Sequence, residues 1–214
     1  MTLSLTLLGL LWLVYFALHS LFASLWFKTR IADRWPWAMP WYRLVFNGLA
    51  ILLLLPLAGM MWWLASEPLW HFEGIWRGLS LLAFLLALGG FVWSLRYYDG
   101  GEFIGTRQLK HQLRDVRDQE NLHISPLHRF VRHPWYSLGL LLIWSQEMDP
   151  ARLLSAVMIS GYLIVGSLLE ERKLMIYHGE RYRLYRAKVP GLIPLPWRYL
   201  KRSEAEALLA MAQD

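Results

Sequence analysis

The run Arg132-His133-Pro134-Trp135-Tyr136 and the pair Glu170-Glu171 hold the residue types in this chain best suited to chemistry. Ionisable side chains are costly near hydrocarbon, so a cluster of them at the end of a membrane span is by default a functional-site hypothesis. Pro134 stands where an apolar helix begins, a position at which proline's missing N–H forfeits no intrahelical bond. The N–H groups of that helix start, preceded by Arg132 and His133, are donors for an anionic group such as a carboxylate. Tyr136 adds a phenol. Glu170 and Glu171 are adjacent, about 100° apart on a helix, so one can face a bundle while the other faces solvent or pairs with Arg132. Together these groups offer donors for a carboxylate and acceptors for an ammonium or a ribose. A zwitterionic, amino-acid-like cofactor has those needs.

Each feature also has a plain reading. Arg-His at a helix end is ordinary basic decoration of a membrane face, and Glu-Glu-Arg-Lys at a helix end is ordinarily a solvated surface. His19 and Asn47 lie within apolar stretches and can hydrogen-bond a neighbouring helix as readily as they can contact a substrate. His123, His128 and His133 recur every five residues, off any single helical face, so no metal site is expected. The absence of Cys excludes disulfides, thiolate metal sites and a Cys nucleophile, leaving any sulfur chemistry to a bound molecule. Neither a Gly-rich phosphate loop nor a Ser-His-Asp pattern stands out.

The elements that must position these residues are membrane helices. Of 214 residues, 56% are hydrophobic and 13 are Trp, which implies an all-α, polytopic bundle of about five transmembrane helices. The spans fall at approximately 3–27, 41–65, 75–97, 135–148 and 151–170. The first three comfortably supply the roughly 20 residues needed to cross about 30 Å of hydrocarbon. The last two flank Ser145-Gln146-Glu147-Met148-Asp149-Pro150, a turn by composition, and form a helical hairpin. Its first arm is short, reaching only about 21 Å. No Lys or Arg precedes the first stretch and no small-x-small site ends it, so it is expected to be a retained span.

A link at 98–134 and a tail at 171–214 complete a single membrane domain over 1–214. In the link, Gly100, Gly101 and Gly105 are expected to break the third helix, and Lys110 to Glu120 to form a charged surface helix. The tail should continue span five through Leu174, Tyr177, Tyr182 and Tyr185, then stop at Val189-Pro190-Gly191. Ser203 to Ala212 is expected to be a short amphipathic end.

The net charge of +6 does not mark a nucleic-acid binder, because its distribution follows the spans. Four Lys/Arg lie from Lys28 to Arg43, around the start of span two, seven from Arg96 to Arg132, and nine after Glu170, leaving only Arg77 and Arg152 at the opposite span ends. By the positive-inside rule this places the N-terminus outside and both link and tail in the cytoplasm, in a multi-pass membrane protein. Both halves of the charged motif then share one membrane face. The basic rim suits an anionic leaflet, worth on the order of 1 kcal/mol per cation near the surface.

The stretch Arg129 to Pro194 resembles the C-terminal half of the isoprenylcysteine carboxyl methyltransferase and phospholipid methyltransferase family of integral membrane enzymes. The resemblance is carried by Arg132-His133-Pro134-Trp135-Tyr136, Glu170-Glu171 with Leu174, Tyr177-His178-Gly179-Glu180-Arg181-Tyr182 with Tyr185, and Val189-Pro190 with Ile193-Pro194, in the family's order and spacing. One departure is that the family's Gly usually follows the motif Tyr by two positions, whereas here Ser137-Leu138 precede Gly139. The resemblance implies S-adenosylmethionine as cofactor, in a cytoplasm-facing pocket made by the last spans and the tail. By position, His133, Tyr136 and Glu170 or Glu171 would contact it, with Arg132 in support. His19-Ser20 and Phe103-Ile104-Gly105-Thr106-Arg107-Gln108 are similar to the bacterial branch containing methanethiol S-methyltransferases. That branch implies a small thiol as acceptor, faced by His19, with Arg132 and Glu170 as further catalytic candidates. Other acceptors in the wider family are a prenylcysteine carboxyl and a phospholipid amine. A nicotinamide-dependent membrane reductase and a non-enzymatic subunit linked to nitrite or nitric oxide reduction are the readings from other classes. Apart from substrate and membrane lipids no partner is implied, and no nucleic acid.

Overall fold

The computed structural model describes residues 2–114 and 122–211. These form no strand; the helices are α1 (Thr2–Ala23), α2 (Leu25–Arg34), α3 (Met39–Trp63), α4 (Gly74–Ser94), α5 (Gly100–Ile104), α6 (Thr106–Lys110), α7 (Pro134–Trp144), α8 (Pro150–Lys188) and α9 (Arg202–Ala210). The all-α membrane class expected from composition is therefore the class observed. Helices α1, α3, α4 and α8 are long and apolar enough to cross a membrane. Helix α7, with 11 residues, extends about 16 Å. Leu10, Leu13, Ile51, Leu52, Leu81 and Leu82 are each more than half exposed, as expected of side chains that lipid rather than protein covers.

Local chemistry moves several boundaries. Helix α1 stops at Ala23 because Ser24 is extended, and its hydroxyl accepts from the Phe27 N–H to cap α2. Gly100 and Gly101 begin a helix instead of breaking one, since the Asp99 carboxylate accepts from the N–H groups of Gly101 and Glu102. Helix α6 ends at Lys110, and Gln112 has a φ of 51°, outside the right-handed region. The expected charged helix therefore does not run through 111–114, and its remainder lies outside the described residues.

The chain divides into two compact units: Met1–His71, Tyr98–Gln119 and Glu147–Met158 in one, Phe72–Tyr97, Glu120–Gln146 and Ile159–Asp214 in the other. In the first, polar groups are satisfied in small, separate sets. The Trp12 indole donates to Ser155 Oγ at 2.9 Å, and Tyr42 donates to the Phe22 carbonyl at 2.5 Å. Asn47 Nδ2 donates to the carbonyls of Phe103 and Ile104 at 3.0 and 2.9 Å, capping the C-terminal end of α5. Gly105 follows at φ 106°, and a Cβ there would stand 2.7 Å from the Leu44 amide nitrogen, so only Gly fits against α3. A polar helix-to-helix bond of this kind is what a hydrocarbon environment requires.

In the second unit α4 packs on α7. A Cβ on Gly90 would come within 2.7 Å of Leu138, so the small residue permits the approach. Indole-to-hydroxyl bonds recur here: Trp135 to Ser94 at 2.9 Å and Trp144 to Ser160 at 3.0 Å. Beyond the apolar part of α8 a small core forms from Tyr182, Tyr185, Val189, Leu200, Ala205 and Leu208, with Leu174 and Met175 against it. This core fixes the tail.

Candidate functional site

A straight helix would separate Glu171 from Arg186 by about 22 Å. They touch, with Arg186 Nε 3.2 Å from Glu171 Oε2. The turn that brings them together is Gly179, at φ 46° and ψ −125°, inside what is otherwise one continuous run of helix. A side-chain-bearing residue is strained there. After this reversal the chain runs back beside the motif. The Arg132 and His133 N–H groups donate to the carbonyls of Pro190 and Gly191 at 2.9 and 3.1 Å. The Leu200 N–H donates to Arg129 O and Arg129 Nε to Leu200 O, both at 2.9 Å. Tyr185 donates to His128 O at 2.6 Å.

These main-chain bonds enclose an ionic network. Glu171 Oε1 accepts from Arg132 Nε at 2.9 Å and Nη2 at 2.5 Å, and lies 3.3 Å from His133 Nε2. His133 Nδ1 is 3.2 Å from Glu170 Oε2. Arg132 Nη1 donates to the carbonyls of Arg186 and Val189. The Glu171 side chain is 6% exposed and that of Glu170 39%. An imidazole with a carboxylate at each nitrogen satisfies both only as the doubly protonated cation. Burial pulls the His133 imidazolium down, but bonds to Glu170 and Glu171 outweigh it and the net shift is upward. Burial likewise pushes the Glu171 carboxyl up, and His133 and Arg132 together hold it at about 2. Tyr136 lies flat on His133, ring centroids 5.5 Å apart and 11° from parallel. Ser137 Oγ lies 3.0 Å from His133 O and 2.5 Å from Leu192 O, tying α7 to the tail.

Arg132, His133, Tyr136, Glu170 and Glu171 therefore come together in the second unit, and the plain readings of Arg132 and Glu171 as surface decoration do not hold. The buried glutamate is Glu171. His19 belongs to the first unit, stacked on Tyr15 at 5.7 Å and beside Phe46 at 5.1 Å. Asn47 serves α5, as its helix-bonding reading expected. Gly139, the displaced motif glycine, has no atom within 4 Å of where a Cβ would stand; the glycine against the network is Gly191, 3.4 Å on that measure from Arg132 Nη2. Sequence reasoning missed Arg186, Gly179 as a turn, and Ser137. Arg186 directly follows Tyr185, the one available signal. His128 is half-buried, and desolvation first, then the charges of His123 and His133, push its imidazole down to about 3. In the first unit a shallow groove of about 360 Å³ is lined by Asp99, Gly101, Thr106, Arg107, Lys110 and His111. Its Arg107 is already paired with Asp99 and Glu102 at 3.1 and 3.0 Å.

The fold and network define a multi-pass membrane protein with a charged site built where α7 begins and the apolar part of α8 ends. Proteins called methanethiol S-methyltransferase are similar to it. One from Pseudomonas sp. is 30% identical over 66% of this chain and 56% of its own length. Another, from Crocosphaera subtropica, is 30% identical over 82% of this chain and 69% of its own. Methanethiol S-methyltransferase 2 of Bradyrhizobium diazoefficiens is 32% identical over 88% and 73%. The chain belongs to the methanethiol S-methyltransferase family of membrane methyltransferases. No family model and no solved structure matches it.

Proposed function

We propose that the protein transfers a methyl group from S-adenosylmethionine to a small thiol. Support comes from relatives named for methanethiol and from a donor set that fits the amino-acid end of such a cofactor. The observation that carries the reading is the division of labour between the two glutamates. Glu171 is consumed by three cations of the protein itself, while Glu170, half-exposed and bonded only to His133 among the described residues, keeps an oxygen for an ammonium or ribose hydroxyl. Tyr136 lies stacked on the ring of His133, the partner of Glu170. When bound, the cofactor supplies an electrophilic methyl on a sulfonium; the thiol gives up its proton and becomes a thioether.

What this chain's residues contribute is alignment and exclusion of water, which together supply several kcal/mol. His133, locked between two carboxylates as a cation, positions Glu170 and is not the base. We assign His19 to the acceptor side: it lies within α1 between aromatic rings, surroundings suited to a soft, apolar sulfur compound. We further propose five spans in a bacterial inner membrane, N-terminus outside and tail cytoplasmic, on the strength of the Lys and Arg partition.

Calorimetry on the purified protein with S-adenosylmethionine, its demethylated product and NADPH tests the donor. Affinity for the first two and none for NADPH is expected; binding of NADPH alone would turn the assignment to a reductase. Glu170→Ala should weaken S-adenosylmethionine about tenfold or more with the fold intact. Labelled cofactor offered separately with methanethiol, a prenylated cysteine and phosphatidylethanolamine tests the acceptor. Label is expected in a volatile thioether, and label in either of the other products rejects the thiol.

A further inference from the structure

We propose that Arg186 receives the carboxylate at the amino-acid end of the methyl donor. This rests on the donor assignment above and adds a residue to which no role was given. The ionic network holds three cations, Arg132, His133 and Arg186, against two carboxylates, Glu170 and Glu171. It has room for one more negative group, and only one cation has donors left to receive it.

Arg132 is 10% exposed, with Nε and Nη2 on Glu171 and Nη1 on two carbonyls of the returning chain. His133 is 4% exposed, with a carboxylate at each nitrogen. Arg186 is different. Its Nε is anchored 3.2 Å from Glu171 Oε2, which aims the side chain, while that side chain remains 51% exposed. Glu171 is its only side-chain partner among the described residues, and neither Nη group has a partner among them. Two parallel N–H donors on one rigid plane match the two oxygens of a carboxylate. Glu170, at the other end of the same chain of contacts, is the acceptor for the adjacent ammonium. The two half-exposed members of the network thus carry opposite charges, complementary to the carboxylate and the ammonium of an amino acid.

The test compares S-adenosylmethionine with its decarboxylated analogue, which keeps the sulfonium, ammonium and adenosine and lacks only the carboxylate. Calorimetry is run on the wild type and on Arg186→Gln, whose amide can still bond Glu171. The wild type should bind S-adenosylmethionine about ten- to a hundredfold more tightly than the analogue. Arg186→Gln should erase that preference by weakening S-adenosylmethionine alone. Equal weakening of both ligands would make Arg186 a structural residue, and a retained preference would place the carboxylate elsewhere; either overturns the proposal while leaving the donor assignment standing. A wild type that binds neither ligand overturns both. Should Arg186→Gln not fold, Arg186→Lys is measured by the same criterion: the charge is kept and the fork lost, so the preference should shrink with analogue affinity unchanged.

Discussion

The two units satisfy buried polar groups in opposite ways. In the first, three polar side chains meet a hydroxyl or a backbone carbonyl in small sets of their own: Trp12 with Ser155, Tyr42 with Phe22, Asn47 with the end of α5. In the second, five ionisable side chains share one network, and two of its members, Arg132 and His133, are also tied by their backbones to the tail. Separate neutral bonds can be lost one at a time. A charge network cannot, because removing one member leaves its partners buried and uncompensated.

The largest effect should come from Glu171→Ala, which strands Arg132, His133 and Arg186 together. We expect a loss on the order of 3–5 kcal/mol, read from thermal unfolding in detergent. A loss under about 1 kcal/mol would class the network with surface ion pairs and remove the contrast. Gly179→Ala comes next, at about 1–3 kcal/mol, because φ 46° with ψ −125° is glycine's territory and there is space for the methyl but no comfortable backbone. Glu180→Ala is the control, and an equal result for both would mean that the reversal does not depend on glycine.

The pH dependence separates the units without mutation. The raised His133 contributes stability that is complete below about pH 6.5 and fades as pH rises through its folded value. The depressed Glu171 contributes stability present above about pH 4.5 and lost as pH falls toward 2. A melting-temperature profile should therefore decline on the alkaline side, and His133→Gln should flatten that decline; an unchanged profile would show that the imidazole is not held charged. The smallest effect is Ser155→Ala, about 0.6 kcal/mol for a single interhelical bond in an apolar medium. A loss as large as that for Glu171→Ala would erase the distinction between the units.

The apolar helices were legible from composition because a bilayer demands long uninterrupted stretches, and the charged motifs were legible because hydrocarbon makes charges conspicuous. Which glutamate faces inward was not, since residues 100° apart differ by a helix phase that packing alone sets. Arg186 was hidden for another reason. Its proximity to Glu171 depends on a chain reversal at Gly179, and a glycine within an apparently helical pattern is as often merely tolerated as structurally required. Ser24 and Asp99 were missed as caps because a capped boundary inside an apolar or glycine-rich run looks like continuation or breakage.

The returning chain also sets an order of assembly. Arg132, Glu170 and Glu171 emerge from the ribosome before the carbonyls of Val189, Pro190 and Gly191 that hold the network closed. At about 5–20 residues per second, the interval from Glu171 to Leu200 is on the order of a few seconds. During that time the apolar part of α8 can enter the bilayer while the charged residues beyond it remain hydrated and unpaired. The network can then close as a final step on the aqueous side, so that insertion never has to carry an assembled ion cluster through hydrocarbon.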